Sequence, residues 1–287
     1  MSEAILITGG SSGIGAATAL YLAERGYRVY VTMRDMRRGS DLEAAAARRR
    51  LSLELLRLDV TDEASIEKAL GIVLERERGI FGLVNNAGIL VRGYFEDLSD
   101  AEMRRVFETN VFGTMAVTRA VLPCMRKARR GRIVVMSSAG GKIATMGASA
   151  YCASKFALEG FGEALAQELA PFQVYVSLVE PGFVKTELFG RNRSVASRAL
   201  DRRGPYYQWF QRLERITDEQ MDRVGSSPID VARTVHGILT ARRPRLRYVV
   251  GRRARLLIGL RRYVPGEVFE RLWTKEMLRR VTQTTGS

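Results

Sequence analysis

Residues 4–15 read Ala4-Ile5-Leu6-Ile7-Thr8-Gly9-Gly10-Ser11-Ser12-Gly13-Ile14-Gly15. The unbroken apolar run at the start is a short buried strand. The glycines that follow make a Gly-x-x-x-Gly-x-Gly turn, and Ala16, Leu20 and Ala23 then recur at helical spacing until Gly26. Strand, glycine turn and helix in this order form a phosphate cradle. Glycine lets the backbone approach a pyrophosphate closely, and the charge of that group meets the free N–H groups of a helix N-terminus. Gly9, Ser11, Ser12, Gly13, Ile14 and Gly15 are therefore the candidates for holding a dinucleotide.

Outward from this turn the same alternation repeats. Ala4–Thr8, Arg28–Met33, Leu53–Leu58, Ile80–Val84, Arg132–Met136, Val174–Val179 and Leu246–Val250 are short runs rich in Val, Ile and Leu. Helical stretches lie between them at Leu42–Arg49, Glu63–Arg78, Asp100–Arg126, Ala150–Leu169 and Pro228–Thr240. Seven strands alternating with helices predict a parallel sheet covered on both faces, because parallel neighbours need crossover connections. The fold class is α/β: a Rossmann-type, doubly wound, seven-stranded sheet in a single domain spanning 1–287. Two parts stand outside the alternation, an irregular insertion at 183–227 and a basic helical tail at 251–287.

The chain has 287 residues, 46% hydrophobic and 27% charged, which is the composition of a globular protein with a sizeable core. It contains no apolar run long enough to cross a membrane. The beginning, MSEAILITGG, lacks the basic start and small-residue cleavage site of a secretory signal. Two cysteines (Cys124 and Cys152) cannot build a disulfide framework, and one histidine (His236) cannot build a histidine-rich metal site. A reducing, cytoplasmic compartment is expected. The net charge of +15 is unevenly spread: residues 1–190 hold 24 Lys/Arg against 22 Asp/Glu, and residues 191–287 hold 22 against 9.

Two further places carry chemistry. The second strand ends Met33-Arg34-Asp35, where an NAD site usually offers an acid to the ribose 2′-hydroxyl. Arg34 suits a 2′-phosphate instead, with the Ser12 hydroxyl beside it, so NADP(H) is expected ahead of NAD(H); Asp35 argues the other way. Further on, Ser137-Ser138 closes a strand, and Tyr151 and Lys155 stand one helical turn apart on one face. An ammonium and a helix N-terminus beside a phenol favour its ionised form, which suits proton transfer near neutral pH. The Ser138 hydroxyl then holds a carbonyl oxygen in place.

These strings together resemble the short-chain dehydrogenase/reductase family: Thr8-Gly9-Gly10-Ser11-Ser12-Gly13-Ile14-Gly15, Asn85-Asn86-Ala87-Gly88, Asn110, Ser138, Tyr151-Cys152-Ala153-Ser154-Lys155 and Pro181-Gly182-Phe183-Val184-Lys185-Thr186. Val31–Asp35, Leu58–Asp62 and Tyr151–Gly160 look most like the branch with the 17β-hydroxysteroid and retinol dehydrogenases. The resemblance implies a Tyr151 general acid/base and a Lys155 that lowers its pKa and holds the nicotinamide ribose. It implies that Ser138 rather than Ser137 orients the substrate oxygen, and that Asn110 kinks its helix and holds a proton-relay water. Asn86, Ala87 and Gly88 would line the cofactor, Asp59 and Val60 would face the adenine, and Pro181, Gly182, Val184 and Thr186 would position the nicotinamide. The implied activity interconverts an alcohol and a carbonyl. A cofactor-binding sensor or scaffold, or a cofactor-recycling epimerase, are the alternatives. Subunit contacts through 100–126 and 150–169 imply a homodimer or homotetramer.

The substrate signal is softer. Phe183, Phe189, Tyr206, Tyr207, Trp209 and Phe210 in the insertion read either as a wall for a bulky apolar substrate or as packing of the cap. Leu90, Val91 and Met146 fit an apolar pocket or a core equally. From Arg242 to Arg262 nine arginines and no acid are interleaved with leucines, which reads as a solvated basic face or as peripheral contact with an anionic membrane; nucleic acid is the weakest of the three. Pro265–Val281 reads as a helix for core or subunit contact. Cys152 is expected to face away from Tyr151 and pack, and His236 is assigned no role.

Overall fold

The computed structural model describes residues 2–187, 190 and 192–282, so Phe189 lies outside the described residues. The sheet forms from β1 (Ala4–Ile7), β2 (Arg28–Met33), β3 (Leu53–Arg57), β4 (Gly82–Asn85), β6 (Gly131–Met136), β7 (Val174–Pro181) and β9 (Arg247–Val250). Their order is β3-β2-β1-β4-β6-β7-β9, and all pairings are parallel, as the alternation predicts. Successive residues of one strand serve opposite faces: Leu6 joins one core layer, and Ile5 and Ile7 join the other. This is why the strands read as continuous apolar runs.

Helices α3 (Glu63–Arg76), α5 (Gly113–Ala128) and α6 (Ser149–Leu169) cover the first face, and α1 (Gly13–Ala23) and α8 (Pro228–Thr240) cover the second. His236 stands edge-on to the rings of Tyr21 and Tyr27 at 5.9 and 6.0 Å, so it packs α8 on α1. The order of strands reverses between β1 and β4. That reversal opens a crevice at the carboxyl ends of the two strands, the place where open α/β sheets bind ligands.

Three elements differ from the expectations. The single helix expected at 100–126 is broken into α4 (Asp100–Phe107) and α5 by a π-helical turn at Glu108–Phe112. The insertion at 183–227 is not irregular: it holds α7 (Tyr207–Val224), whose Phe210, Leu213 and Thr217 form a narrow buried stripe. Charged residues on the rest of α7 hid that stripe. Two short strands, β5 (Val91–Arg92) and β8 (Ser194–Val195), pair outside the main sheet. The tail is helical as expected, with α9 (Arg252–Tyr263) and α10 (Gly266–Thr282); among the described residues no helix is long and apolar enough to cross a membrane.

The insertion is fastened by charge. Arg92 of β5 is buried, with Nε 2.5 Å from Glu214 Oε1, and its Nη2 donates to Thr217 Oγ1 at 2.9 Å. Arg193 reaches Glu214 at 3.4 Å and also pairs with Asp218. A buried pair is weak evidence for stability, but removing one partner strands the other. Glu214→Ala is expected to lower unfolding free energy by about 3–5 kcal/mol, and Arg92→Met combined with Glu214→Leu to recover most of that loss, read as urea midpoints.

Candidate active site

The glycine turn after β1 and the segment after β4 touch. At Gly15 an added Cβ would lie 2.5 Å from Gly9 O and 2.6 Å from Asn86 Nδ2; at Gly9, where φ is +67°, it would lie 2.7 Å from Ala87 Cα. Only glycine fits, and the reason is this close approach. Asn86 Nδ2 donates to the carbonyls of Thr8 and Gly9 at 3.0 and 2.9 Å, and the N–H groups of Asn86 and Ala87 donate to Thr8 Oγ1 at 3.0 and 3.1 Å. Thr8 is thus a site-building residue that the sequence reading left unassigned. Its signal was its place at the head of the turn.

Asn110, fully buried, sits in the π-helical turn. Its Nδ2 donates to Ile89 O at 2.9 Å and Ser154 Oγ at 3.0 Å, and its Oδ1 accepts from Ile89 N at 2.8 Å. The residue therefore locks the chain beyond Gly88 to α6. Helix distortion at Asn110 agrees with the expectation.

On α6, Tyr151 and Lys155 face the sheet as the spacing predicts. Ser138 also lines the cleft, its Oγ accepting from Gly140 N at 3.0 Å, and a hydrogen bond between Ser138 and Tyr151 favours the phenolate. The Ser137 hydroxyl is buried and faces the Gly141 backbone. The expected lowering of Tyr151 is not what the geometry gives. Burial pushes its phenol up to about 12, against the Ser138 hydrogen bond. Lys155 Nζ donates to Met136 O at 2.7 Å and lies 5.6 Å from the Tyr151 ring centre. Burial also pushes Lys155 down to about 8. Both shifts have one cause, loss of water around a charge.

Cys152 is buried and packs as expected, but beside Tyr151 rather than away from it, against Leu90 and Ala148, and it lines the cleft. The cleft, about 660 Å³, brings together the sequence-predicted residues Gly9, Ser11, Ser12, Gly13, Ile14, Arg34, Asp59, Val60, Asn86, Ala87, Gly88, Ser138, Tyr151, Lys155, Pro181, Gly182, Val184 and Thr186. Gly15 and Asn110 stand behind it as supports. Asp35 is engaged by Arg37, which donates from Nε and Nη2 at 2.9 Å each and holds its carboxyl below the usual range. Arg38, unassigned in the sequence, joins Arg34 at the rim and donates to Asn192 Oδ1 at 2.6 Å.

The far end of the cleft is apolar. Leu90 and Met146 line it, whereas Val91 is core. Of the described insertion aromatics only Phe183 lines it; Tyr206 stacks on Tyr94 at 4.8 Å and Phe210 is core, so these two pack the cap. Leu213, Ile216, Leu257, Trp273 and Met277 supply the wall instead. Trp273 and Met277 come from α10, where the sequence reading expected core or subunit contact. Trp273 Nε1 donates to Ala144 O at 3.0 Å.

Comparisons with known proteins agree with this geometry. Residues 3–196 match the family model described as short chain dehydrogenase. Bovine retinol dehydrogenase 8 is 38% identical over 268 residues, covering 91% of this chain and 85% of the relative. A short-chain dehydrogenase structure from Streptomyces avermitilis aligns with TM-score 0.79 at 34% identity, covering 99% of each chain. An actinorhodin polyketide ketoreductase structure with NADPH aligns with TM-score 0.72 at 32% identity, covering 83% of this chain and 90% of that one.

The lysine shift has a sign that can be measured. Between its folded value of about 8 and the usual 10.5, the unfolded chain holds a proton that the native chain has lost. Stability from this group therefore rises with pH in that window, by at most ~1.4 kcal/mol per pH unit. Lys155→Met is expected to remove the rise, read as urea midpoints of both proteins from about pH 7 to 10. Equal slopes in the two proteins would contradict the burial assigned to Lys155.

Proposed function

The chain belongs to the short-chain dehydrogenase family of oxidoreductases, and on that footing we propose that it interconverts an alcohol and a ketone or aldehyde on an apolar substrate with NADP(H). The observation that carries the reading is the convergence of Ser138, Tyr151 and Lys155 where the glycine cradle meets an apolar wall. The cradle fits a dinucleotide: no Cβ has room at Gly9 or Gly15, the α1 N-terminus offers free N–H groups, and Arg34 and Arg38 stand at the rim beside β2. The ketoreductase neighbour, whose structure holds NADPH, supports the same cofactor class. Arg34 and Arg38 would take a 2′-phosphate, and Asp35, held by Arg37, leaves them to do so.

When bound, the nicotinamide supplies or accepts hydride. The chain's own residues do the rest. Ser138 holds the substrate oxygen, and Tyr151 moves the proton at that oxygen. Burial raises the Tyr151 phenol, which is therefore a proton donor at neutral pH, the form that carbonyl reduction uses. Lys155, tied to the Met136 carbonyl, fixes the floor of the site. The expected outcome with NADPH is turnover of apolar ketones or aldehydes, lost by at least about a thousandfold in Tyr151→Phe, with NADPH affinity within about threefold of wild type. Turnover surviving in Tyr151→Phe would sink the mechanism. Cofactor binding without turnover of any carbonyl by the wild type would favour a sensor or scaffold.

We also propose peripheral contact with an anionic lipid surface through α9. Leu256, Leu260 and Tyr263, at 63, 44 and 81% exposure, lie in one stripe on a helix with five arginines and no acid. Its other face, through Ala254 and Leu257, walls the cleft. A symmetric pairing of two copies here would set arginine against arginine, which favours an anionic partner. The full chain should float with vesicles containing phosphatidylserine and not with pure phosphatidylcholine; Leu256→Asp with Leu260→Asp should abolish flotation. Flotation unchanged in that variant, or self-association or DNA binding in place of flotation, would overturn the contact.

A further inference from the structure

Glu180 is the penultimate residue of β7, followed by Pro181 and Gly182, and its side chain is only 1% exposed. A carboxylate removed from water this completely needs partners. Those it has come from three other elements. Glu159 lies on α6, one turn beyond Lys155 and two beyond Tyr151, and is itself 5% exposed. Its carboxyl and that of Glu180 lie against the same two cations. Lys142, in the segment that follows Ser138, places Nζ 2.6 Å from Glu159 Oε2 and 3.9 Å from Glu180 Oε1. Arg247 of β9 places Nε 2.9 Å from Glu159 Oε2 and 3.6 Å from Glu180 Oε1, and its Nη2 reaches Glu163 Oε2 at 2.5 Å. The mechanism above uses none of these residues.

Two arguments give the cluster a task. One is charge. Glu159 and Glu180 are buried against Lys142 and Arg247, whereas Glu163, which also pairs with Arg247, keeps its charge in water. Two buried carboxyls held against the same cations repel each other, which favours a proton on one of them. Burial and the neighbouring Glu159 charge raise Glu180 well above the usual carboxylate range, against the pull of Lys142 and Arg247. The other argument is connectivity. The loop of Lys142 carries Ser138, the helix of Glu159 carries Tyr151 and Lys155, and the strand of Glu180 carries Pro181 and Gly182. One polar knot joins the three backbones that must hold a fixed mutual position for proton and hydride transfer.

We propose that Glu180, set beside Glu159 under Lys142 and Arg247, is a positioning residue that sets the Pro181-Gly182 turn against Ser138 and Tyr151, and that ionisation of its buried carboxyl loosens this arrangement. The inference rests on the oxidoreductase reading above for its effect on turnover; its effect on stability does not.

The sign follows from linkage. A carboxyl raised in the folded state keeps a proton that the unfolded chain has already released, so its stabilisation fades as pH rises through the folded value. Glu180→Gln mimics the protonated form. Relative to wild type, its thermal midpoint should therefore rise from about pH 4.5 to pH 7, and its kcat should lose the decline that wild type shows as the folded carboxyl ionises. Glu180→Ala should lower kcat by tenfold to a hundredfold while the NADPH Kd moves less than about threefold. Lys142→Met removes a cation facing the pair, so the pH at which kcat declines should move upward, and this variant reads the same knot if Glu180→Ala does not fold. A midpoint difference between Glu180→Gln and wild type that is constant with pH overturns the buried proton on Glu180. Wild-type kcat in Glu180→Ala, or an unmoved profile in Lys142→Met, overturns the positioning role. If no carbonyl is turned over by wild type, the oxidoreductase reading fails, and the midpoint comparison still decides the proton on Glu180.

Discussion

The contact between the turn after β1 and the segment after β4 is the constraint on which the rest of the site depends. Parallel strands end on the same side, and the reversal of order between β1 and β4 leaves a gap there. The gap is bridged by Asn86, whose amide donates to the Thr8 and Gly9 carbonyls, and by Thr8, whose hydroxyl accepts from Asn86 and Ala87. Those bonds leave no space for a Cβ at Gly9 or Gly15. They also point the α1 N-terminus into the cleft. The cradle proposed for the cofactor phosphates is thus a by-product of how two loops of a doubly wound sheet satisfy their own backbone groups.

From that contact the order propagates along the chain. Asn86 leads to Gly88 and Ile89; Ile89 is held on both backbone groups by Asn110; and Asn110 reaches Ser154 on the helix that carries Tyr151 and Lys155. The π-helical turn is what lets one asparagine serve both sides, since it interrupts the helix where its own ladder of hydrogen bonds would otherwise pass undisturbed. The arrangement is preorganised by buried hydrogen bonds, each expensive to leave unmade. Tyr151 and Lys155 then sit in so little water that each is driven toward its neutral form.

The parts legible in the sequence are those where chemistry and chain proximity coincide. The strand–turn–helix at 4–23, the pair at 151 and 155 and the alternation of seven strands are local patterns with local causes, and each lies where it was expected. The parts that were not legible depend on distant partners. Nothing near Trp273 or Met277 says that α10 folds back over the cleft, and nothing near Glu180 says that Lys142, Glu159 and Arg247 converge on it. The insertion aromatics misled for a related reason: Tyr206 and Phe210 are apolar enough for a pocket, but Tyr94 and the buried face of α7 claim them first. The sign of the Tyr151 shift was misread because helical spacing reports that two groups are neighbours and not how much water either keeps.

The central claim is that this cleft holds a nicotinamide dinucleotide by a glycine cradle with two arginines, Arg34 and Arg38, at the 2′ position. Parallel fluorescence titrations of the full chain with NADPH and NADH test it most directly. The account predicts that NADPH binds at least about tenfold more tightly, a difference of ~1.4 kcal/mol, and that Arg34→Ala with Arg38→Ala erases the difference without weakening NADH. Equal affinity for the two cofactors in the wild type, or a preference for NADH, would contradict it.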